Sequence, residues 1–172
     1  MVLRDLRDKY VRMRILRERH GRARADPAWV EPDPRPEMTR LAKEFPGALR
    51  EIDRLPAHVI EERIRDLDTA MQPDAAPLPW MTAQLAFHAQ ARAVLSAKKW
   101  LRGRKTIDAA TRAAFVAAHP DLAAIDLAAV AAPPGGRVMN VVYTNVAAEL
   151  GIDIEAARRL VLPARSGRGL AG

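Results

Sequence analysis

Cysteine is absent from this chain, which excludes a disulfide framework, a thiolate metal site and a cysteine nucleophile, and fits a reducing compartment. Serine is almost as scarce. Ser96 and Ser166 are the only two, and neither stands in the strand-turn-helix setting of a nucleophilic serine. The histidines, His20, His58, His88 and His119, never share a spacing that would put two metal ligands on one helix face. Glycine-rich phosphate loops are missing too, since Gly135 and Gly136 follow prolines rather than a strand. His88, on an apolar helical face, is either a core histidine or a buried acid or base. The carboxylates Glu61, Glu62, Asp66 and Asp68 alternate with Arg63 and Arg65, as a solvated helix face would. No catalytic residue, metal or cofactor is therefore expected, and an enzyme is the less favoured class.

Long apolar runs are also lacking. The longest weakly polar stretch, Leu122 to Pro134, contains Asp126 and falls far short of the roughly 20 apolar residues that span a bilayer. The N-terminus is charged from Arg4 onward and has no apolar core of the kind a secretory signal needs. The expectation is a cytoplasmic protein with no integral membrane association, its oligomeric state open. A length of 172 residues suits one domain with a real core.

What the chain does have is blocked charge. The net charge of +7 is unevenly spread. Residues 1–25 hold nine Lys and Arg against three Asp and Glu, residues 26–79 seven against twelve, residues 80–120 seven against one, and residues 121–172 five of each. Such segregation suits a polyanion, an acidic protein partner, or pairing between the chain's own basic and acidic segments.

Apolar spacing is helical nearly throughout. Val2, Leu3, Leu6, Tyr10, Met13 and Leu16 make one stripe over residues 2–24, with arginines around it. Prolines 27, 32, 34 and 36 make residues 26–35 an extended linker. Helices are expected from Pro36 to Phe45, over 48–55, and from Pro56, with Gln72 to Pro79 as a loop. Trp80 to Arg102 reads as a core helix. Thr106 is read as the cap of the next helix, Asp121 to Ala131 as an alanine-rich one, and Arg137–Leu150 and Asp153–Leu162 as a final pair around Gly151. The fold class is thus all-α, about seven or eight helices. Its expected divisions are a basic amphipathic helix (1–25), a Pro-rich linker (26–35), a helical domain (36–162) and a Gly/Arg-rich disordered tail (163–172).

The segment from Val146 to Leu160 resembles the helix-turn-helix element of DNA-binding regulators. Ala147, Gly151, Ile152, Ala157 and Leu160 stand where that pattern wants small, turn-forming and apolar residues. The resemblance implies DNA contacts from Arg158 and Arg159. Asp153 and Glu155 oppose it, because they would face phosphate, although Asp153 is also a sensible N-cap. The alternative is a helical hairpin closed by a glycine C-cap.

Two basic blocks are the other candidates for nucleic-acid binding: Arg4, Arg7, Lys9, Arg12 and Arg14 with the arginines that follow them, and Lys98, Lys99, Arg102, Arg104 and Lys105 around Trp100. Trp100 offers either a stacking face or a core contact. The leading expectation is a non-enzymatic nucleic-acid-associated protein, a regulator or accessory factor. The alternative is a helical adaptor whose Leu3, Leu6, Tyr10 and Met13 anchor in a partner's groove, with an acidic protein as that partner.

Overall fold

A computed structural model describes residues 1–26, 28, 32–104 and 106–163. Among them the fold is all helical, without a strand. Nine α-helices are present among the described residues: α1 (Leu3–Ala25), α2 (Arg35–Glu44), α3 (Ala48–Arg54), α4 (Ala57–Ala70), α5 (Pro79–Trp100), α6 (Ala109–Ala118), α7 (Leu127–Ala131), α8 (Val138–Leu150) and α9 (Ile154–Val161). The chain divides into two compact units. Among the described residues, one comprises Met1–Leu85 with residues 159–163, the other Ala86–Arg158.

In the first unit the apolar stripe of α1 is the centre of the core. Leu6, Tyr10, Met13 and Leu16 are fully buried with Leu41 of α2, Ala48 and Ile52 of α3, Ile60, Ile64 and Leu67 of α4, and Met81 of α5. α1 packs chiefly on α4, and also on α2 and α3. Each large apolar side chain so enclosed contributes about 1.5–3 kcal/mol. This corrects the division that set residues 1–25 apart from a domain at 36–162, because the amphipathic helix is an integral core element. The breaks between helices follow the backbone chemistry of the sequence. Gly47, at φ +90°, turns the chain between α2 and α3, and Pro56, which precedes Ala57, separates α3 from α4.

The second unit is built from small side chains. Ala86, Ala91, Val94 and Ala97 of α5 are buried, as are Phe115 of α6, Leu127 and Val130 of α7, and Val141, Val142 and Val146 of α8. Two aspartates decide where its helices start. Asp108 accepts a hydrogen bond from the Thr111 amide at 2.7 Å and caps α6, so the cap expected at Thr106 lies two residues further on. Asp126 accepts from the amides of Ala128 and Ala129 at 2.9 and 3.1 Å. Its side chain thereby takes the place of a helical partner, and the single helix expected from Asp121 to Ala131 is instead a 3-10 turn at Pro120–Leu122 followed by the short α7.

At the end of α8, Gly151 is left-handed at φ +65°, and the Ile152 amide donates to the Ala147 carbonyl at 3.0 Å. That is a Schellman closure. Asp153 then accepts from the Ala156 amide at 2.8 Å and starts α9, the capping role its position suggested. Pro27, Trp29, Val30 and Glu31 of the expected linker, Lys105, and residues 164–172 of the expected tail lie outside the described residues.

Candidate functional site

The arginine-rich helix α1 has one apolar face in the core, so its basic residues emerge along the flanks, where the acidic helices lie. Arg7 pairs with Asp68 of α4 at 2.9 Å, Arg12 with Glu44 of α2 at 2.5 Å, Arg14 with Glu61 of α4 at 3.3 Å, and Arg19 with Glu37 of α2 at 3.4 Å. Arg17 donates to the carbonyls of Ile52 and Leu55, at the C-terminal end of α3 where a cation also complements the helix dipole. With the buried pair of Lys9 and Glu51, five cations of the basic block 1–25 are thus partnered by carboxylates of the acidic block 26–79. Arg4 is exposed.

Lys9 is the extreme case. It is fully buried, and its Nζ donates to Glu51 Oε1 at 2.8 Å and to Gln84 Oε1 at 3.0 Å. The Tyr10 hydroxyl donates to Glu51 Oε2 at 3.1 Å and accepts from Arg63 Nη1. The Arg63 guanidinium lies 4.6 Å from the Trp80 ring centre, and Trp80 meets Tyr10 edge-on. Gln84 Nε2 closes the network by donating to the Val161 carbonyl. Burial pulls the Lys9 ammonium below its ordinary pKa, against the attraction of Glu51. Burial, reinforced by Glu51, pushes the Tyr10 phenol well above its ordinary value.

Two expectations for α1 are corrected by this packing. Lys9 cannot reach a phosphate, because its ammonium is sealed inside the first unit and already hydrogen-bonded. Leu6, Tyr10 and Met13 cannot anchor in a partner's groove, because all three are core side chains with no exposed surface, and Leu3 packs half-buried against the same core. The network itself went unread at Glu51 and Gln84, and Arg63, expected on a solvated helix face, is instead buried against Tyr10 and Trp80. A signal was present: Lys9 falls between Leu6 and Met13 on the apolar stripe, and Glu51 between Ala48 and Leu55 on another.

The second basic block has a different setting. Leu95, Lys98, Lys99 and Arg102 recur at helical steps along the end of α5 and the turn after it, so their side chains share one face. Together with Arg104, these three cations line a pocket of about 550 Å³. Its apolar wall is Leu95, Leu101, Ile107, and Val130 and Ala131 of α7. Lys98, Lys99, Arg102 and Arg104 are exposed and, among the described residues, form no ion pair with a carboxylate. Part of their role is local, since Lys98 and Lys99 complement the dipole in the last turn of α5. Trp100 is half-buried, set edge-on against Phe115 and covered by the Arg104 guanidinium at 3.6 Å, so its packing is intramolecular.

On α9, Arg158 is engaged. It donates to Glu155 at 2.5 Å and to Asn140 at 3.1 Å, and it lies 5.5 Å from the Tyr143 ring centre. Arg159 is exposed. His88 is fully buried beside Phe87 in the second unit and does not line the pocket at the end of α5. Among the described residues no three His, Asp or Glu side chains are grouped to hold a metal ion, and no helix is long and apolar enough to cross a membrane. Compared with protein-family models, curated proteins and solved structures, the chain gives no significant match.

Proposed function

We propose that this protein associates with nucleic acid without performing chemistry on it, through Lys98, Lys99, Arg102 and Arg104 at the end of α5, in the manner of an accessory factor. One contrast carries the reading. Five cations of α1, Arg7, Lys9, Arg12, Arg14 and Arg19, face carboxylates of α2, α3 and α4, whereas this second group meets no carboxylate among the described residues and gathers around one concavity. Exposed, uncompensated cations on one face are what a phosphate backbone requires, and binding of this kind is insensitive to base sequence. Arg158 adds little to it, because its guanidinium is already committed to Glu155 and Asn140.

The test is fluorescence anisotropy with labelled DNA and RNA, single-stranded and duplex, against the full chain at low salt. Binding is expected to weaken steeply as salt rises, and the Lys98→Gln, Lys99→Gln, Arg102→Gln triple variant is expected to lose at least about tenfold in affinity, or about 1.4 kcal/mol. If no form of nucleic acid binds at low salt, the reading is wrong. Binding of an acidic peptide in its place would redirect the same surface to a protein partner.

A further inference from the structure

Resting on the nucleic-acid reading, we infer that the pocket at the end of α5 accommodates an unpaired nucleotide, so that the protein prefers single strands to duplex. The cations alone would not discriminate, because both forms present phosphates. The apolar wall is what distinguishes them. A rim of Lys98, Lys99 and Arg102 stands beside Leu95, Ile107 and Val130, which come from three separate parts of the chain. A duplex hides the faces of its bases by stacking, while an unpaired nucleotide can place a base face on an apolar surface and keep its phosphate on the cationic rim. The volume of about 550 Å³ lies within the range of roughly 300–1,000 Å³ typical of small-molecule sites, and is far too confined for a duplex to enter.

The lining also selects by charge. It includes Lys and Arg side chains but no Asp or Glu, so an anion is favoured over a cation, and the apolar wall favours an anion that carries a flat or apolar moiety over bare phosphate. Trp100 is not the stacking platform, since Arg104 and Phe115 already cover it. The base-facing surface is aliphatic, and its exposed edge is Leu95, which is 40% accessible.

The experiment compares a labelled oligothymidylate of about 12 nucleotides, within the usual site size, with a duplex of the same length, on the full chain and on Leu95→Ser and Ile107→Ser. The parent is expected to bind the single strand at least tenfold more tightly. Each variant is expected to lose about three- to tenfold on the single strand and less than twofold on the duplex, which makes duplex binding the internal control for folding. Far-UV circular dichroism checks each variant, and if one loses helix the other decides. Equal affinity of the parent for both forms, or equal losses on both by a variant that keeps its helical signal, overturns the inference and leaves the proposed function standing. Failure of both forms to bind overturns the two together.

Discussion

Replacing Lys9 with Met would keep the length and most of the packing of the side chain while removing the ammonium, and so isolates what the buried charge does. Lys9 and Glu51 are 2.8 Å apart, with side-chain exposures of 0% and 4%, so neither can fall back on water when its partner is lost. Removing one member of such a pair typically costs about 3–5 kcal/mol, because the remaining charge stays buried. Glu51 would retain the Tyr10 hydroxyl at 3.1 Å, with Arg63 beyond it, which places the expected loss near the lower end, about 3 kcal/mol. Removing both charges, in Lys9→Met with Glu51→Leu, relieves that burden. What remains is the Gln84 carbonyl left without its donor and the Tyr10 hydroxyl left without its acceptor, each a cost of about 1–3 kcal/mol. The double variant is therefore expected to be clearly more stable than the sum of the two single losses. Arg14→Gln supplies the contrast: Arg14 and Glu61 are 39% and 46% exposed at 3.3 Å, and that change should cost less than about 1 kcal/mol. The assay is urea unfolding followed by circular dichroism and by tryptophan fluorescence, with Trp80 as a reporter beside Tyr10. A Lys9→Met variant within about 1 kcal/mol of the parent, or single losses that simply add, would refute the reasoning.

Two further outcomes follow from the same structure. Burial and Glu51 raise the Tyr10 pKa above its ordinary value of 10.0, so above that pH the unfolded chain releases a proton that the folded one keeps, and the stability gained is lost as pH rises. In Tyr143→Phe, which leaves Tyr10 as the sole tyrosine, phenolate absorbance should appear only well above pH 10 and together with loss of helix. A reversible midpoint near 10 with the helical signal intact would contradict it. Gly151→Ala meets no atom within 4 Å, so its cost is the left-handed backbone alone, about 1–2 kcal/mol, read as a lower unfolding midpoint, and Gly151→Asn should cost less. An Ala variant as stable as the parent would show that the turn does not need its positive φ.

The helices were legible because their signals are local. The stripe of α1, the breaks at Gly47 and Pro56, and the glycine closure of α8 all depend on residues a few positions apart. The misplaced starts were local as well, but turned on which polar residue captures the amides: Asp108 rather than Thr106, and Asp126 in the middle of an alanine-rich run. Partnership was the part that periodicity could not supply. An apolar stripe shows that α1 must be covered, and only tertiary packing shows that α2, α3 and α4 of the same chain cover it rather than another protein. Likewise the signs of the charge blocks were readable, while the pairing of Arg7 with Asp68, 61 residues away, was not. Lys9 was misassigned by its charge when its place on the stripe pointed inward. The pocket escaped notice because Leu95, Ile107 and Val130 are brought together only by the fold.

The most direct measurement is the salt dependence of nucleic-acid affinity for two matched sets of variants. One set neutralises Arg7, Arg12 and Arg14 to Gln, and the other neutralises Lys98, Lys99 and Arg102. For single strands each phosphate contact contributes about 0.7 to the slope of log affinity against log salt, so losing three should flatten it by about 2. That flattening is expected for the second set alone, with the first set close to the parent because its cations are held by Asp68, Glu44 and Glu61. Equal flattening by the two sets, or flattening by the N-terminal set alone, would contradict the assignment of one basic block to the fold and the other to the ligand.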